Sequence, residues 1–339
     1  MRRLHFVGTL PQFSDPESAL AWQASEVHGE LRRWNGGETG ARLLWFVPVM
    51  RALKASPKIR ALRHGDWSGY DDVDRLAVRR GERLLPSDIP LEMVENFDHE
   101  RALLPDTDRP LQVSVPGYLD MALFTFGPTG VPRYAGVFRD ALTAQIAAIH
   151  ARAGDSAVFQ LEIPAALVAV AATPPPLRAA MADLMARLVT RQVADAPEDS
   201  RFGLHLCLGD LGHRALRQLR SADPLVRLAN AVVRHWPAGR GLDFVHLPMS
   251  GGDQPPSTDP AFYTPLRSLR TGCPVIAGIA HEEQDLADQV VVRRLVEDAV
   301  GTPVDIATSC GLGRRTPEQA LRAVDRMRAL LEDFPASVG

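Results

Sequence analysis

Leu111-Gln112-Val113-Ser114-Val115 and Ala157-Val158-Phe159-Gln160-Leu161-Glu162 are apolar runs of strand length, and residues 137–152 between them carry a helical period. A strand, a helix and a second strand at that spacing make a βαβ unit. The same rhythm continues on both sides. Downstream, residues 177–193 form an Ala/Leu/Met-rich helix entered through Pro174-Pro175-Pro176, and Phe202-Gly203-Leu204-His205-Leu206-Cys207-Leu208-Gly209-Asp210 reads as the next strand. Residues 242–247, 274–279 and 304–308 supply three more strands. A last helix opens at Thr316-Pro317-Glu318-Gln319, with Thr316 as cap, Pro317 at the first helical position and Gln319 closing a capping box. Leu321, Val324, Met327 and Leu331 are its expected buried face.

Upstream, residues 4–8 read as a strand running into the loop Gly8-Thr9-Leu10-Pro11. A helix follows from about Asp15 to His28, with Asp15 as N-cap, and residues 31–38 read as a strand ending in Gly36-Gly37-Glu38. Eight strands separated mostly by helices predict an α/β fold, a (β/α)8 or TIM barrel, forming a single domain over residues 1–339. A two-domain, doubly wound sheet would show the same alternation. Residues 50–110 have mixed charge, several prolines and no clean period, which marks an insertion or lid.

Composition narrows the function. A chain of 339 residues that is 45% hydrophobic can bury a large core, and a formal net charge of -3 with no basic, aromatic-interleaved cluster argues against a nucleic-acid partner. No signal h-region and no long uncharged span is visible, so the expectation is a soluble, cytoplasmic protein with no membrane partner. Three cysteines cannot build a disulfide framework in a chain of this length, which leaves free thiols or metal ligands.

In a barrel, chemistry sits at the carboxyl ends of the strands. His205 and Cys207, two apart on a strand, face the same way and offer a nitrogen and a sulfur to one metal ion. By itself such a pair is also ordinary core packing. A metal site needs a third protein ligand, and Cys310, about a hundred residues later and just past another apolar strand, is the candidate. Glu162 and His246 also lie at or near strand ends. Cys273 precedes Pro274 at the start of a strand, so it belongs to the opposite end of the barrel and reads as structural.

Several segments together resemble one family. Val7-Gly8-Thr9-Leu10-Pro11-Gln12 resembles the "IGSFPQ" opening of the catalytic barrel of cobalamin-independent methionine synthase, and Gly36-Gly37-Glu38 resembles its "HGE" segment. Gln160-Leu161-Glu162-Ile163-Pro164 is similar to its "QIDEP", His205-Leu206-Cys207 to its "HMC", and Ser309-Cys310-Gly311-Leu312 to its "DCGL", with Arg315 at the arginine that follows. The motifs keep the family's order over nearly the whole chain. The resemblance implies a zinc-dependent barrel with His205, Cys207 and Cys310 as ligands, and with Thr9, Glu38 and Glu162 holding the amino-acid part of a thiol substrate. The family's glutamate ligand aligns with Pro248, which cannot bind metal, so His246, two residues earlier, is the expected substitute. Glu162 stands where the family has aspartate. His281 is the approximate counterpart of the family's histidine after strand seven, and is the expected acid/base. Family members are fused double barrels and this chain matches the zinc-bearing half, so neither a folate donor nor a methionine product is implied.

The resulting expectation is a zinc-dependent methyltransferase or alkyltransferase. The site is His281 as catalytic residue, Thr9, Glu38, Glu162 and Arg315 on the substrate, and His205, Cys207, Cys310 and His246 on the metal. Its partners are a small thiol or amino-acid-like molecule and an alkyl donor, the latter free or delivered by a partner protein or corrinoid carrier. Two other readings keep the same residues: a metal-dependent lyase or other carbon-sulfur chemistry, and a non-catalytic metal- or ligand-binding barrel serving a pathway enzyme.

Overall fold

A computed structural model describes residues 1–44, 46–67, 72–105, 108–211 and 214–332. Its strands are β1 (Trp34–Asn35), β2 (Ile59–Arg63), β3 (Arg75–Val78), β4 (Leu111–Pro116), β5 (Ala157–Glu162), β6 (Arg201–His205), β7 (Asp210–Leu211), β8 (Arg214–Ala215), β9 (Gly241–Pro248), β10 (Val275–Ala280) and β11 (Asp305–Thr308). Its helices are α1 (Pro16–Trp22), α2 (Phe46–Ala55), α3 (Met93–Leu103), α4 (Tyr118–Phe126), α5 (Val131–Ala153), α6 (Pro164–Ala172), α7 (Arg178–Ala194), α8 (Asp223–Arg234), α9 (Pro260–Tyr263), α10 (Leu286–Val300) and α11 (Pro317–Ala329).

Seven strands form one parallel sheet in the order β1-β4-β5-β6-β9-β10-β11, so each neighbour is also the next sheet strand in sequence. The expected first strand is reduced to one residue, Leu4, which bridges in parallel to Leu31 on one side and to Ile306 of β11 on the other. Its hydrogen bonds, Leu4 N to Glu30 O at 2.8 Å and His5 N to Ile306 O at 2.9 Å, place this segment between the two ends of the sheet. The expected second strand shrinks to Trp34–Asn35. There Asn35 is held by a buried side chain, because Gln23 accepts from Asn35 N and donates to Asn35 O.

The sheet strands are buried on both faces, as parallel strands between helices must be; every residue of β10 is buried. One face packs on the helices and carries the main core. The other carries a small separate cluster of Val7, Val158, Phe244, Ile276 and Ala307. Phe244 fits there because β6 has Gly203 opposite it: a Cβ on Gly203 would fall 1.9 Å from the Phe244 ring.

Helix ends follow local chemistry. Asp15 caps α1 by accepting from Ser18 N, and beyond Trp22 the chain stays helical in tighter and wider turns as far as Glu30. Thr316 and Gln319 form the capping box of α11. The buried face of α11 differs from the expected one: Leu321 is 44% exposed and Leu331 half-buried, while Ala320 and Ala323 join Val324 and Met327 inside. Small alanines let the helix approach β10 and β11 closely, so the larger leucine turns outward.

The insertion is structured. It comprises α2, the antiparallel hairpin of β2 and β3, and α3, with residues 68–71 and 106–107 outside the described residues. Two helices absent from the sequence reading, α4 and α6, follow β4 and β5 directly, and α5 begins six residues before the expected start. Asp120 of α4 ties the two new helices together by accepting from Ala165 N at the start of α6. No helix among the described residues is long and apolar enough to cross a membrane.

Candidate metal centre

Parallel register lines up three polar side chains. Glu162, the last residue of β5, pairs with His205, the last of β6, and His205 pairs with His246 of β9. Cys207 lies two residues past the end of β6 and Cys310 two past the end of β11. The ligand atoms of His205, Cys207 and Cys310 lie within 4.8 Å of one another. The two sulfurs are 3.9 Å apart, far beyond a disulfide bond, and neither cysteine is in a disulfide. Two zinc-sulfur bonds of about 2.3 Å at a tetrahedral angle would put sulfurs about 3.8 Å apart, so the spacing and the donor set both fit zinc. Cys207 Sγ also accepts from Gly209 N at 3.4 Å.

His246 is not part of that group. Its Nδ1 lies 2.7 Å from His205 Nδ1 and its Nε2 3.0 Å from Thr308 O, so both ring nitrogens are already engaged. Burial lowers the affinity of both rings for a second proton: His205 is held well below the ordinary histidine range and His246 at about 4.

A cavity of about 120 Å³ opens above the three ligands and is lined also by Thr9, Glu38 and Glu162. Thr9 Oγ1 accepts from Gly313 N at 2.7 Å, and Gly311 and Gly313 have no room for side chains because Thr9 packs against them. The two carboxyl groups sit in apolar surroundings. Burial, only partly offset by Arg42 and Arg314, pushes Glu38 up to about 7. Burial and the neighbouring Glu38 push Glu162 well above the usual carboxylate range, although Gln160 donates to its Oε1. A second cavity of about 130 Å³ meets the first at Glu38 and Glu162, walled by Arg42, Val49, Ala52, Leu91 and Met93. The insertion thus builds one side of both cavities.

Two more expected residues, besides His246, lie apart from the first cavity. Arg315 is buried in an ion pair with Glu282, Nε to Oε2 2.7 Å, and also donates to Gly252 O; its neighbour Arg314 lines the cavity instead. His281 is 3% exposed, its Nδ1 accepts from Glu283 N, and its backbone is locked by Gln289. Burial lowers its proton affinity as well. Tyr263 is buried too, and its hydroxyl donates to Ser257 O, so it pins the loop after β9 from below. Cys273 precedes β10 at the opposite end of the sheet, with its thiol pushed up by burial to about 11. The cavity residues that sequence reading missed are Leu43, Phe46 and Phe124. Leu43 and Phe46 lie where the insertion begins, in a stretch without a readable period, and Phe124 lies on the unforeseen α4.

No family model matches the sequence, and no curated protein sequence matches it significantly. Solved structures do match its fold. A B12-independent methionine synthase from Shewanella sp. W3-18-1, solved in complex with selenomethionine, aligns over 97% of this chain and 96% of its own at 13% identity, with a TM-score of 0.59. A putative vitamin-B12 independent methionine synthase from Listeria monocytogenes aligns over 98% of both chains at 11% identity and a TM-score of 0.50. A methyltransferase from Methanosarcina mazei aligns over 98% of this chain and 94% of its own at 13% identity and a TM-score of 0.51. At these identities the likeness is one of fold, and it runs the length of the chain.

Proposed function

We propose that the protein is an enzyme that transfers a methyl or other alkyl group to the thiol of a small amino-acid-like substrate, using zinc held by His205, Cys207 and Cys310. The observation that carries this reading is the convergence of those three donors on the floor of a cavity walled by Thr9, Glu38 and Glu162. The fold likeness to methionine synthases and a methyltransferase supports it. The reading takes the Leu4 segment as the eighth strand of a (β/α)8 barrel, which makes the cavity its carboxyl-terminal mouth.

Bound zinc would lower the pKa of a coordinating substrate thiol and so supply a thiolate at neutral pH. Three protein donors, with Pro248 where a fourth is expected, is the number that leaves a coordination position for substrate. The chain's own residues do the rest. Glu38 and Glu162 gain an ionic partner when a substrate ammonium enters between them. Thr9 keeps its hydroxyl proton for a substrate carboxylate, and Arg314 adds positive charge on the same wall. Leu43, Phe46 and Phe124 keep water from the sulfur. The second cavity, open to the first at the two glutamates, is the space for the alkyl donor.

The test is cobalt substitution followed by titration with homocysteine. A thiol-dependent change in the cobalt absorption spectrum is expected, and turnover should then follow with methylfolate, methylcobalamin or a small methyl donor. Absence of stoichiometric metal from protein produced with zinc would overturn the proposal.

A further inference from the structure

We infer that His246 is a positioning residue that fixes the tautomer of His205, and so decides which of its nitrogens is offered to the metal. The inference rests on the proposal that His205 is a metal ligand, but its geometric part stands alone. The Thr308 carbonyl can only accept, so His246 Nε2, 3.0 Å away, must carry a proton. A neutral His246 then has a lone pair on Nδ1. His205 Nδ1, 2.7 Å from it, must therefore be the donor. This leaves Nε2 as the atom of His205 with a lone pair free for the group formed with Cys207 and Cys310.

The surroundings enforce the arrangement. His246 is fully buried, and no charged group makes its hydrogen bonds for it. A Cβ on Gly278 would lie 3.0 Å from both His246 Nε2 and Thr308 O, so glycine is what keeps that contact open. Thr308 also donates its hydroxyl proton to Cys310 O at 2.6 Å, which shapes the turn presenting Cys310. One residue at the end of β11 thus holds both the third sulfur and, through His246, the proton pattern of the first nitrogen. A metal-binding histidine usually owes its orientation to a carboxylate or backbone carbonyl on its other nitrogen. Here a second imidazole relays a backbone carbonyl to it.

Two measurements test the inference. Long-range proton-nitrogen NMR of histidine-labelled, metal-free protein should show His205 protonated at Nδ1, with the signals assigned by a His205→Gln variant; protonation at Nε2 instead would overturn it. Zinc affinity, measured by chelator competition, should fall about 10–100-fold in His246→Phe, which fills the space but accepts no hydrogen bond. It should stay within about threefold of wild type in His246→Asn, whose Oδ1 can replace the lost acceptor. Unchanged affinity in His246→Phe, or equal losses in both variants as a direct ligand would give, would also overturn it. If His246→Phe fails to fold, the tautomer and the Asn variant still decide. Failure of wild-type protein to bind zinc would instead remove the metal proposal, leaving the tautomer result to stand by itself.

Discussion

Two sulfurs 3.9 Å apart on the floor of the cavity, with an imidazole beside them, form a donor group whose spacing suits a single metal ion. Replacing Cys310 with serine exchanges a soft thiolate for a hydroxyl that ionises far less readily, and leaves two ligands. Metal analysis of Cys310→Ser after dialysis should show stoichiometry near zero against about one in wild type. Retention of a full equivalent would remove Cys310 from the site. Glu38 makes a different kind of statement. With its carboxyl held at about 7 by burial, it is mostly protonated at pH 6, and an ammonium placed beside it favours the ionised form and drives the proton off. Binding of an amino-acid thiol at pH 6 should therefore release most of a proton from Glu38, in addition to the one a zinc-bound thiol would lose, and the Glu38 share should vanish toward pH 9. Calorimetry in two buffers of different ionisation enthalpy measures it. A heat of binding independent of the buffer at pH 6, or a release unchanged in Glu38→Gln, would remove Glu38 from the ammonium site.

At the level of elements, the site depends on how closely β6 and β9 can lie. Gly203 and Phe244 face each other two residues before His205 and His246, so the ring that fills the sheet's inner face occupies the space a side chain on β6 would need. Gly203→Ala should cost about 1–3 kcal/mol in chemical denaturation, and Gly203→Ala combined with Phe244→Leu should recover part of it. If the double variant is no more stable than the sum of the single changes, the two residues are not in conflict. The α4–α6 junction should carry a pH effect whose sign follows from burial of a carboxyl. Asp120 accepts a hydrogen bond from Ala165 N, yet burial raises its carboxyl to about 7 from an unfolded value near 4. Because the folded pKa lies above the unfolded one, the folded state holds the proton longer. The contribution of Asp120 to stability is thus undiminished below about pH 4 and falls as pH rises from there to about 7. Asp120→Asn keeps the acceptor oxygen and removes the ionisation. Its urea midpoint should exceed that of wild type at pH 8 by the equivalent of about 2–4 kcal/mol, with the advantage shrinking toward zero at pH 4. A constant difference across that range would mean that Asp120 is ionised without cost.

Over the whole molecule, what could be read in advance was what repeats or stands in sequence order. The apolar runs of β4, β5, β6, β9, β10 and β11 announced the parallel sheet, and Asp15, Thr316 and Pro317 announced helix starts. The first strand and β1 are shorter than the apolar pattern around them predicts, because their ladders are only one and two residues long. That His205, Cys207 and Cys310 meet, and that Thr9, Glu38 and Glu162 line the cavity above them, was legible. Which of the adjacent Arg314 and Arg315 lines the cavity was not, since Arg315 is taken by Glu282, a residue some thirty positions away. Nor could spacing show that both nitrogens of His246 are taken, since one partner is a backbone carbonyl 62 residues further along. That long separation is also what couples the proposed metal to stability. Cys207 and Cys310 lie 103 residues apart in the chain and come together only when β6 and β11 occupy the same sheet, so an unfolded chain offers no preformed site. Metal bound only by the folded state adds about 4 kcal/mol when free metal stands at a thousand times its dissociation constant. Wild-type protein should then unfold at a higher urea concentration with zinc than after chelation, and the chelated protein should still unfold cooperatively, because its core is built from the sheet and helices without the ligands. In Cys310→Ser the two midpoints should coincide. If zinc stabilised that variant as much as wild type, the stabilising metal would be bound elsewhere, and the strand ends would not be where the fold and the chemistry meet.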